Sequence, residues 1–373
     1  MGCIRISRVI GICTAAVMLL CAAPAGAAPV DDRQTCARAS ADVAIAACTR
    51  AIASRRYSGS NLAKIYKNRG NAYYDKKDYD RAIADYSEVI RLDPKYALAF
   101  YNRGLAYYDK GDLDRAIADS SEAIRLDPKH ALAFYNRGIA YDAKGGVDRA
   151  IADYNEAIRL DPKLDLAFAS RGYAYFSLGD FTSSASDLLR ANELNYIYKA
   201  SAMLWRYLAR EHLAQDGAAE LSANAARLKN KDWPYPVIDF YLGRRSQDAM
   251  RTAAGKPDEK CEAAFYAGEW QLLRGDKTQA KATLQIAADT CPKDFREYYG
   301  AVSELKRINT AATAAPHAPP TAPDPVADCA QAEADWKSAE TLGIVAAYED
   351  HLKRFPNCEF AVLARAKIEA LKK

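Results

Sequence analysis

A 34-residue period dominates this chain. Pro94, Pro128 and Pro162 recur at that spacing, and each follows an Arg-Leu-Asp ending to an apolar segment. A unit of this length cannot bury a core alone, so consecutive units must stack on one another. A stack presents a long concave surface, and the period therefore predicts a binding scaffold.

Small and bulky residues recur at fixed places within the unit, counted from Ala63 as position one. Position eight is glycine, position eleven tyrosine, and position twenty alanine or, in the fourth unit, serine: Gly70, Gly104, Gly138, Gly172; Tyr73, Tyr107, Tyr141, Tyr175; Ala82, Ala116, Ala150, Ser184. The small residues let two antiparallel helices cross closely, and the tyrosine fills the gap beside the contact. A Lys-Gly-Asp turn joins the helices, and Leu-Asp-Pro ends the second one.

Over residues 63–198 these positions resemble the tetratricopeptide repeat, in register through three units and with departures in a fourth. Ser120 departs from that pattern at position twenty-four, and Tyr196 stands where proline is expected. The resemblance implies an all-α fold, a right-handed superhelical solenoid of antiparallel helix pairs. We expect a small C-terminal helical unit to follow it.

One charge pattern is not usual for this family. Arg occupies position seven and Asp position twenty-three in all four units, which predicts a bridge between the two helices of each: Arg69–Asp85, Arg103–Asp119, Arg137–Asp153 and Arg171–Asp187. Bidentate arginine–carboxylate geometry favours a structural ladder. A functional track of charge is the alternative.

Residues 1–27 read as a secretory signal, with Arg5 and Arg8 before an apolar stretch and small residues ahead of cleavage after Ala27. We therefore expect a periplasmic or secreted protein without a membrane span, because the stretch is short for one. Of 52 Lys and Arg residues, two leave with this segment, so 50 remain against 48 acidic residues. This nearly neutral charge does not predict nucleic-acid binding.

Six of the nine cysteines lie beyond the signal and fall into local pairs. We predict the disulfides Cys36–Cys48, Cys261–Cys291 and Cys329–Cys358, with free buried thiols as the alternative, since six cysteines allow 15 pairings. The first would clamp a helical hairpin over residues 28–62, with a helix over Val43–Ala53. No close Cys or His pair has zinc-ligand spacing, so no metal is expected.

Residues 199–308 keep a helical pattern but lose the clean repeat, except for a degenerate unit that begins at Cys261. Trp233-Pro234-Tyr235-Pro236 breaks this region. The region is similar to the C-terminal part of NlpI-like bacterial envelope proteins. That resemblance implies an adaptor that brings envelope proteases or cell-wall enzymes to their targets.

The last two segments differ sharply in composition. Residues 309–327 are rich in Ala and Pro, which predicts a semi-stiff linker. Residues 328–373 predict a small helical unit, in which Tyr348, Leu352 and Phe355 share one helical face and Phe360–Leu371 forms a further helix.

No catalytic motif appears in the sequence. The four histidines, His130, His212, His317 and His351, are scattered, and no nucleophile elbow, metalloprotease motif or phosphate-binding loop occurs. We therefore expect neither an enzyme nor a cofactor. An enzyme with an unrecognised site is the remote alternative.

The concave surface should be lined by first-helix positions two, five, six, nine and twelve. The candidate partner-binding residues are Lys67, Asn71, Tyr74, Tyr101, Asn102, Tyr108, Tyr135, Asn136 and Tyr173. Lys67, Asn71 and Asn102 match the family's clamp for a peptide carboxylate, but Leu132 and Asn136 do not. The pattern favours Asn amides that hold an extended peptide and Tyr rings that pack its side chains. For the tyrosines, helix packing is the alternative.

These observations predict a non-catalytic scaffold that binds a protein or peptide of the cell envelope in its concave groove. A self-assembling structural protein, or homo-oligomer, is the main alternative.

Overall fold

The computed structural model describes residues 32–194, 196–313 and 360–371, together with residues 336, 340, 348, 349 and 352. Described residues form helices and no strand, which confirms the predicted all-α class. The first ten helices are α1 Asp32–Arg38, α2 Ala41–Ala53, α3 Gly59–Asp75, α4 Tyr79–Leu92, α5 Ala97–Asp109, α6 Leu113–Leu126, α7 Ala131–Ala143, α8 Val147–Leu160, α9 Asp165–Leu178 and α10 Phe181–Glu193. The others are α11 Lys199–His212, α12 Ala218–Ala225, α13 Tyr235–Tyr241, α14 Gln247–Ala253, α15 Pro257–Leu273, α16 Lys277–Thr290, α17 Arg296–Thr313 and α18 Phe360–Leu371.

Helices α3 to α10 form the four predicted repeat units. Each unit packs its two helices together, and its second helix packs against the first helix of the next unit. The core therefore runs along the stack as a series of small clusters, such as that of Tyr73, Ala82, Tyr86 and Ala106. This is the solenoid of helix pairs that the period predicts.

The turns of the second and fourth units follow the predicted chemistry of glycine followed by an aspartate cap. In the second unit Gly111 adopts a left-handed backbone with φ +85°. The Asp112 carboxylate then caps α6 by accepting from the backbone N–H of Arg115 at 3.2 Å. Left-handed φ suits glycine, and an Asp cap satisfies an otherwise unpaired amide, so this pair fixes the place where α6 begins.

Glycine at position eight permits the close crossing of the two helices. A Cβ built on Gly138 would lie 2.6 Å from the Tyr154 ring. In the second unit Ser120 replaces the bulky residue, and a Cβ on Gly104 would be 3.2 Å from the Ser120 hydroxyl. The departure at Ser120 therefore leaves that crossing looser.

The Arg–Asp ladder is confirmed in all four units. In the third unit Arg137 Nε donates to Asp153 Oδ2 at 2.8 Å and Nη2 to Oδ1 at 2.7 Å, so the pair is bidentate. The aspartates of the ladder are nearly buried. This geometry supports the structural interpretation of the charge pattern.

Each ladder arginine also reaches back to the helix before its own. Arg137 Nη1 donates to the Ser121 hydroxyl of α6 at 3.2 Å. The equivalent acceptors are Thr49 for Arg69, Ser87 for Arg103 and Asn155 for Arg171. One guanidinium therefore joins three helices, which ties neighbouring units together.

Helices α1 and α2 form the N-terminal hairpin, where a disulfide joins Cys36 and Cys48 with a Cα–Cα distance of 4.8 Å. Two helix starts differ from expectation. Helix α2 begins at Ala41 rather than Val43, since its helical pattern already starts after Ser40. Helix α3 begins at Gly59, inside the predicted 28–62 segment, because no Asp-Pro turn precedes it as in later units.

After the repeats, α11 to α14 are shorter and less regular, and α15 and α16 form another close helix pair. A disulfide joins Cys261 of α15 to Cys291, with a Cα–Cα distance of 5.0 Å. Both cysteines lie at the same end of the pair, as the repeat positions predict.

In the C-terminal unit, Trp336, Tyr348 and Ala364 form a small core, with Leu352 and Ile368 packed against it. Helix α18 occupies the predicted range. The signal segment, the Ala/Pro-rich linker beyond residue 313, Phe355 and the Cys329–Cys358 pair lie outside the described residues, so these stay predictions. No helix in the described ranges is long and apolar enough to cross a membrane.

Candidate ligand-binding groove

The first helices of the four units, α3, α5, α7 and α9, carry the nine predicted groove residues. The structure divides these residues into two stretches. Lys67, Asn71, Tyr74, Tyr101 and Asn102 line an open stretch at the N-terminal end. Tyr108, Tyr135, Asn136 and Tyr173 belong to a covered stretch.

Two asparagine amides connect the first and second units in the open stretch. Asn71 Oδ1 accepts from the Tyr86 hydroxyl at 2.9 Å and from Asn102 Nδ2 at 3.4 Å. These two contacts do not use the N–H groups of the Asn71 amide or the carbonyl of the Asn102 amide. One donor and one acceptor of this kind are what an extended peptide backbone pairs with.

The tyrosines of the open stretch are held by neighbouring units. The Tyr74 hydroxyl donates to the Asp109 carboxylate, and burial together with that carboxylate raises the pKa of Tyr74. The Tyr101 ring centre lies 4.8 Å from that of His130. The rings of Tyr74 and Tyr101 are both partly exposed, so each can pack between helices and also contact a ligand.

The start of α17 covers the second stretch. Arg296 places its guanidinium carbon 4.0 Å from the centre of the Tyr173 ring, and its Nη1 donates to the Tyr196 hydroxyl at 2.9 Å. The Tyr299 hydroxyl donates to the Ala143 carbonyl of α7 at 3.4 Å. The chain's own helix therefore lies against the concave face of the third and fourth units.

This covering corrects the expectation of a continuous open groove. Tyr173 is only 5% exposed and Asn136 only 6% exposed. Tyr173 lies under Arg296, and Asn136 is enclosed by its own repeat stack. Neither side chain presents a surface to a large partner in this arrangement.

A pocket remains between α17 and the covered stretch. Its volume is about 250 Å³, and Tyr108, Tyr135, Asp142, Tyr154 and Arg296 are among the residues that line it. Burial raises the pKa of Asp142 to about 6, although the positive charge of Arg296 opposes this shift. The pocket therefore holds two acidic groups, Asp142 and Asp294, and one basic group, Arg296, among tyrosine rings.

Sequence reasoning missed Arg296 and Tyr299, and it placed Asp142 on the concave surface without selecting it as a site residue. Arg296 is separated by 100 residues from Tyr196, and Tyr299 by 156 from Ala143. Asp142 does stand at position twelve, where the other units have Tyr74, Tyr108 and Phe176. That exception to an aromatic pattern was the one signal available.

The peptide-carboxylate clamp is incomplete in space as well as in sequence. In the third unit Leu132 is 37% exposed, and Asn136 is buried. The clamp requires cations at those two positions. Lys67 is thus the one basic residue that the partial match contributes.

His212, Glu269 and Glu304 form a buried cluster away from the groove. His212 Nε2 lies 3.0 Å from Glu269 Oε2 and 3.8 Å from Glu304 Oε1. One imidazole and two carboxylates, with ligand atoms within 4.8 Å of one another, form a donor set that Zn²⁺ accepts. The Phe181 ring stacks on the imidazole at 4.2 Å, so the cluster also links α10, α11, α15 and α17.

Comparison with known families finds repeats in the same places. A family described as "TPR repeat" matches residues 70–111, 104–145 and 143–179. A family described as "Tetratricopeptide repeat" matches residues 262–294, which confirms the degenerate unit. No curated protein matches the chain.

Solved structures of repeat domains match parts of the chain. The crystal structure of MamA is 28% identical, with coverage of 41% of this chain and 88% of that one and a TM-score of 0.38. The second TPR domain of human RPAP3, solved with an HSP70 peptide, is 31% identical, with coverage of 29% and 91% and a TM-score of 0.29. The TPR domain of Arabidopsis OM64 is 30% identical, with coverage of 28% and 87% and a TM-score of 0.28.

Proposed function

We propose a binding function from one premise: this chain belongs to the tetratricopeptide-repeat family. Stacked repeats of this kind are scaffolds for protein–protein interaction. The finer proposal is that the open stretch of the groove binds an extended peptide segment of an envelope protein. That the chain has no enzymatic activity stays a prediction.

The observation that carries the proposal is the pair of amides in the open stretch. Asn71 and Asn102 are fixed by each other and by Tyr86, so they are ordered before a ligand arrives. Preorganised polar groups lose little conformational freedom on binding. Tyr101 and Tyr74 flank them with partly exposed rings, which supply apolar contact for alternate peptide side chains.

Charge at the N-terminal end of this stretch favours an acidic peptide. Arg38 and Lys64 line a surface depression of about 370 Å³ between α1 and α3, together with Asn68. Lys67 lies one turn further along α3. Three cations on one short surface attract carboxylates and steer their approach.

The cellular setting is also proposed rather than shown. The signal-like segment at residues 1–27 and the two disulfides support an exported protein, since disulfides persist in oxidising compartments. The NlpI-like resemblance supports an adaptor role for a periplasmic protein.

Affinity capture from an envelope extract tests this proposal. The bait is the full chain, compared with Lys67→Glu and Tyr101→Ala. Lys95→Glu is the matched control, because Lys95 is exposed in the turn between α4 and α5. We expect one set of proteins to be lost with both groove variants and kept with the control. Equal capture by all four baits would refute the groove assignment, and recovery of the bait alone would favour self-assembly.

A further inference from the structure

The pocket beneath α17 contains two opposite charges, Asp142 and Arg296, that do not pair with each other, and a second carboxylate, Asp294, also lines it. Asp142 stands on the last turn of α7, and Arg296 on the first turn of α17. Both line the same pocket, and the positive charge of Arg296 opposes the rise that burial causes in the pKa of Asp142. Within the described part of the chain, no hydrogen bond or ion pair joins Asp142 to Arg296 or to another side chain. Arg296 is held instead by the Tyr173 ring and the Tyr196 hydroxyl.

A third polar group in the pocket is unsatisfied. The Tyr154 hydroxyl is fully buried and has no hydrogen-bond partner among the residues that the structure describes. A buried polar group normally has one, and the exceptions call for an explanation such as a ligand or ordered water. This hydroxyl belongs to a residue that lines the pocket beside Asp142.

The remaining walls suit an ammonium group at one end. Tyr108, Tyr154 and Tyr299 line the pocket together with Asp142. Aromatic rings around a carboxylate are favourable surroundings for an amine cation. At the other end, the Arg296 guanidinium presents fixed donors of the type that bind carboxylates.

We propose that this pocket binds a compact zwitterion of the amino-acid type, with its ammonium group at Asp142 and its carboxylate at Arg296. A volume of about 250 Å³ lies just below the range of about 300–1,000 Å³ for drug-sized ligands, which fits a molecule as small as a single amino acid. The ammonium group of the ligand meets the Asp142 carboxylate, and the ligand carboxylate meets the Arg296 guanidinium. These two side chains form no ion pair with each other. The Tyr154 hydroxyl provides one additional donor.

This site is separate from the proposed peptide site. Its residues come from α5, α7, α8, α9, α11, α17 and the turn before α17, whereas the peptide proposal rests on Lys67, Asn71, Tyr74, Tyr101 and Asn102. The two proposals can therefore fail independently.

The test uses the full chain and the free standard amino acids. Thermal unfolding first identifies which of them stabilise the protein. Calorimetry then compares the strongest of these ligands with its decarboxylated amine and its deaminated acid. We expect each single-charge analogue to bind at least about tenfold more weakly than the amino acid, because a charged hydrogen bond is lost.

Variants with crossed effects assign the two ends. Asp142→Asn should weaken the binding of the amino acid and of its decarboxylated amine, but not of its deaminated acid. Arg296→Gln should weaken the binding of the amino acid and of the deaminated acid, but not of the amine. Asp148→Asn, at an exposed position of α8, should leave the binding of all three ligands unchanged. If Arg296→Gln does not fold, Asp142→Asn and Tyr154→Phe still decide the question.

Three results would overturn the proposal. The first is that no amino acid stabilises the wild-type chain, which would mean that the pocket holds only water. The second is that the amine binds as tightly as the amino acid, which would remove the role of Arg296. The third is that Asp142→Asn and Tyr154→Phe both bind the amino acid as tightly as the wild type does.

Discussion

The guanidinium carbon of Arg296 lies 4.0 Å from the centre of the Tyr173 ring. This contact joins the first turn of α17 to the fourth repeat and divides the concave surface. The N-terminal stretch stays open, and the remainder becomes the wall of an enclosed pocket.

The Arg–Asp ladder makes a first prediction about stability. Arg137→Ala should lower the free energy of unfolding by about 3 kcal/mol, because it leaves the nearly buried Asp153 carboxylate without its partner. Arg137→Ala with Asp153→Ala should cost less than the sum of the two single variants, by at least about 1 kcal/mol. Denaturant unfolding of the four proteins measures this coupling. Strict additivity would mean that the pair contributes nothing.

The glycine crossings make a second prediction. Gly138→Ala should destabilise the chain by about 1–2 kcal/mol. The new methyl group overlaps the Tyr154 ring, and the free-energy cost of this overlap exceeds the gain in helix propensity from alanine. Gly104→Ala is the matched control, since it faces the smaller Ser120, and it should be closer to neutral. Thermal unfolding of both variants tests the difference. An equal loss in the two would show that ring overlap is not the cause.

The pKa of Asp142 makes a third prediction. Because its folded pKa is about 6, above the ordinary 3.8, the folded state binds this proton more tightly than the unfolded state. The resulting stabilisation is complete below pH 3.8 and is lost as the pH rises through about 6. Asp142→Asn should therefore match the wild type near pH 4 and exceed its stability near pH 7, by up to about 3 kcal/mol.

Unfolding curves between pH 4 and pH 8 test this sign, with no amino acid added. Of the titratable groups that line the pocket with Asp142, Arg296 and the tyrosines keep their charge state in this window, and Asp294 is a second carboxylate. Asp148→Asn serves as the control and should show a constant offset. A gap between wild type and Asp142→Asn that does not change with pH would contradict the prediction.

The disulfides make a fourth prediction. Replacement of Cys261 and Cys291 by Ala should lower the free energy of unfolding by about 3 kcal/mol. Replacement of Cys36 and Cys48 should lower it by less, because that disulfide closes a loop of 12 residues rather than 30. Thermal unfolding with and without reductant measures both effects. Peptide mapping of the oxidised protein also tests the predicted Cys329–Cys358 bond. Free thiols at all six positions would contradict the export proposal as well.

The sequence was informative wherever a residue repeats. Gly138, Tyr141 and Asp153 each have counterparts 34 residues away, so one physical reason explains several positions and predicts helix, crossing and ladder together. The third contact of each ladder arginine, such as Arg137 to Ser121, was missed, because Thr, Ser and Asn share that position and disguise the pattern.

The position of α17 could not be predicted in the same way. Arg296 and Tyr299 have no counterparts, and their contacts span 100 residues or more. The same holds for His212 and Glu269, which lie 57 residues apart in the sequence. Such contacts depend on how the irregular helices pack together, and no local sequence pattern predicts that packing.

Site-specific photo-cross-linking tests the central claim most directly. A photoreactive amino acid replaces Lys67 in one protein and Lys95 in another, and each is irradiated in envelope extract. The account predicts adducts from position 67, with cross-linked peptides rich in acidic residues, that are absent from position 95. The same adducts from both positions, or none from position 67, would contradict a partner-binding groove between the first two repeats.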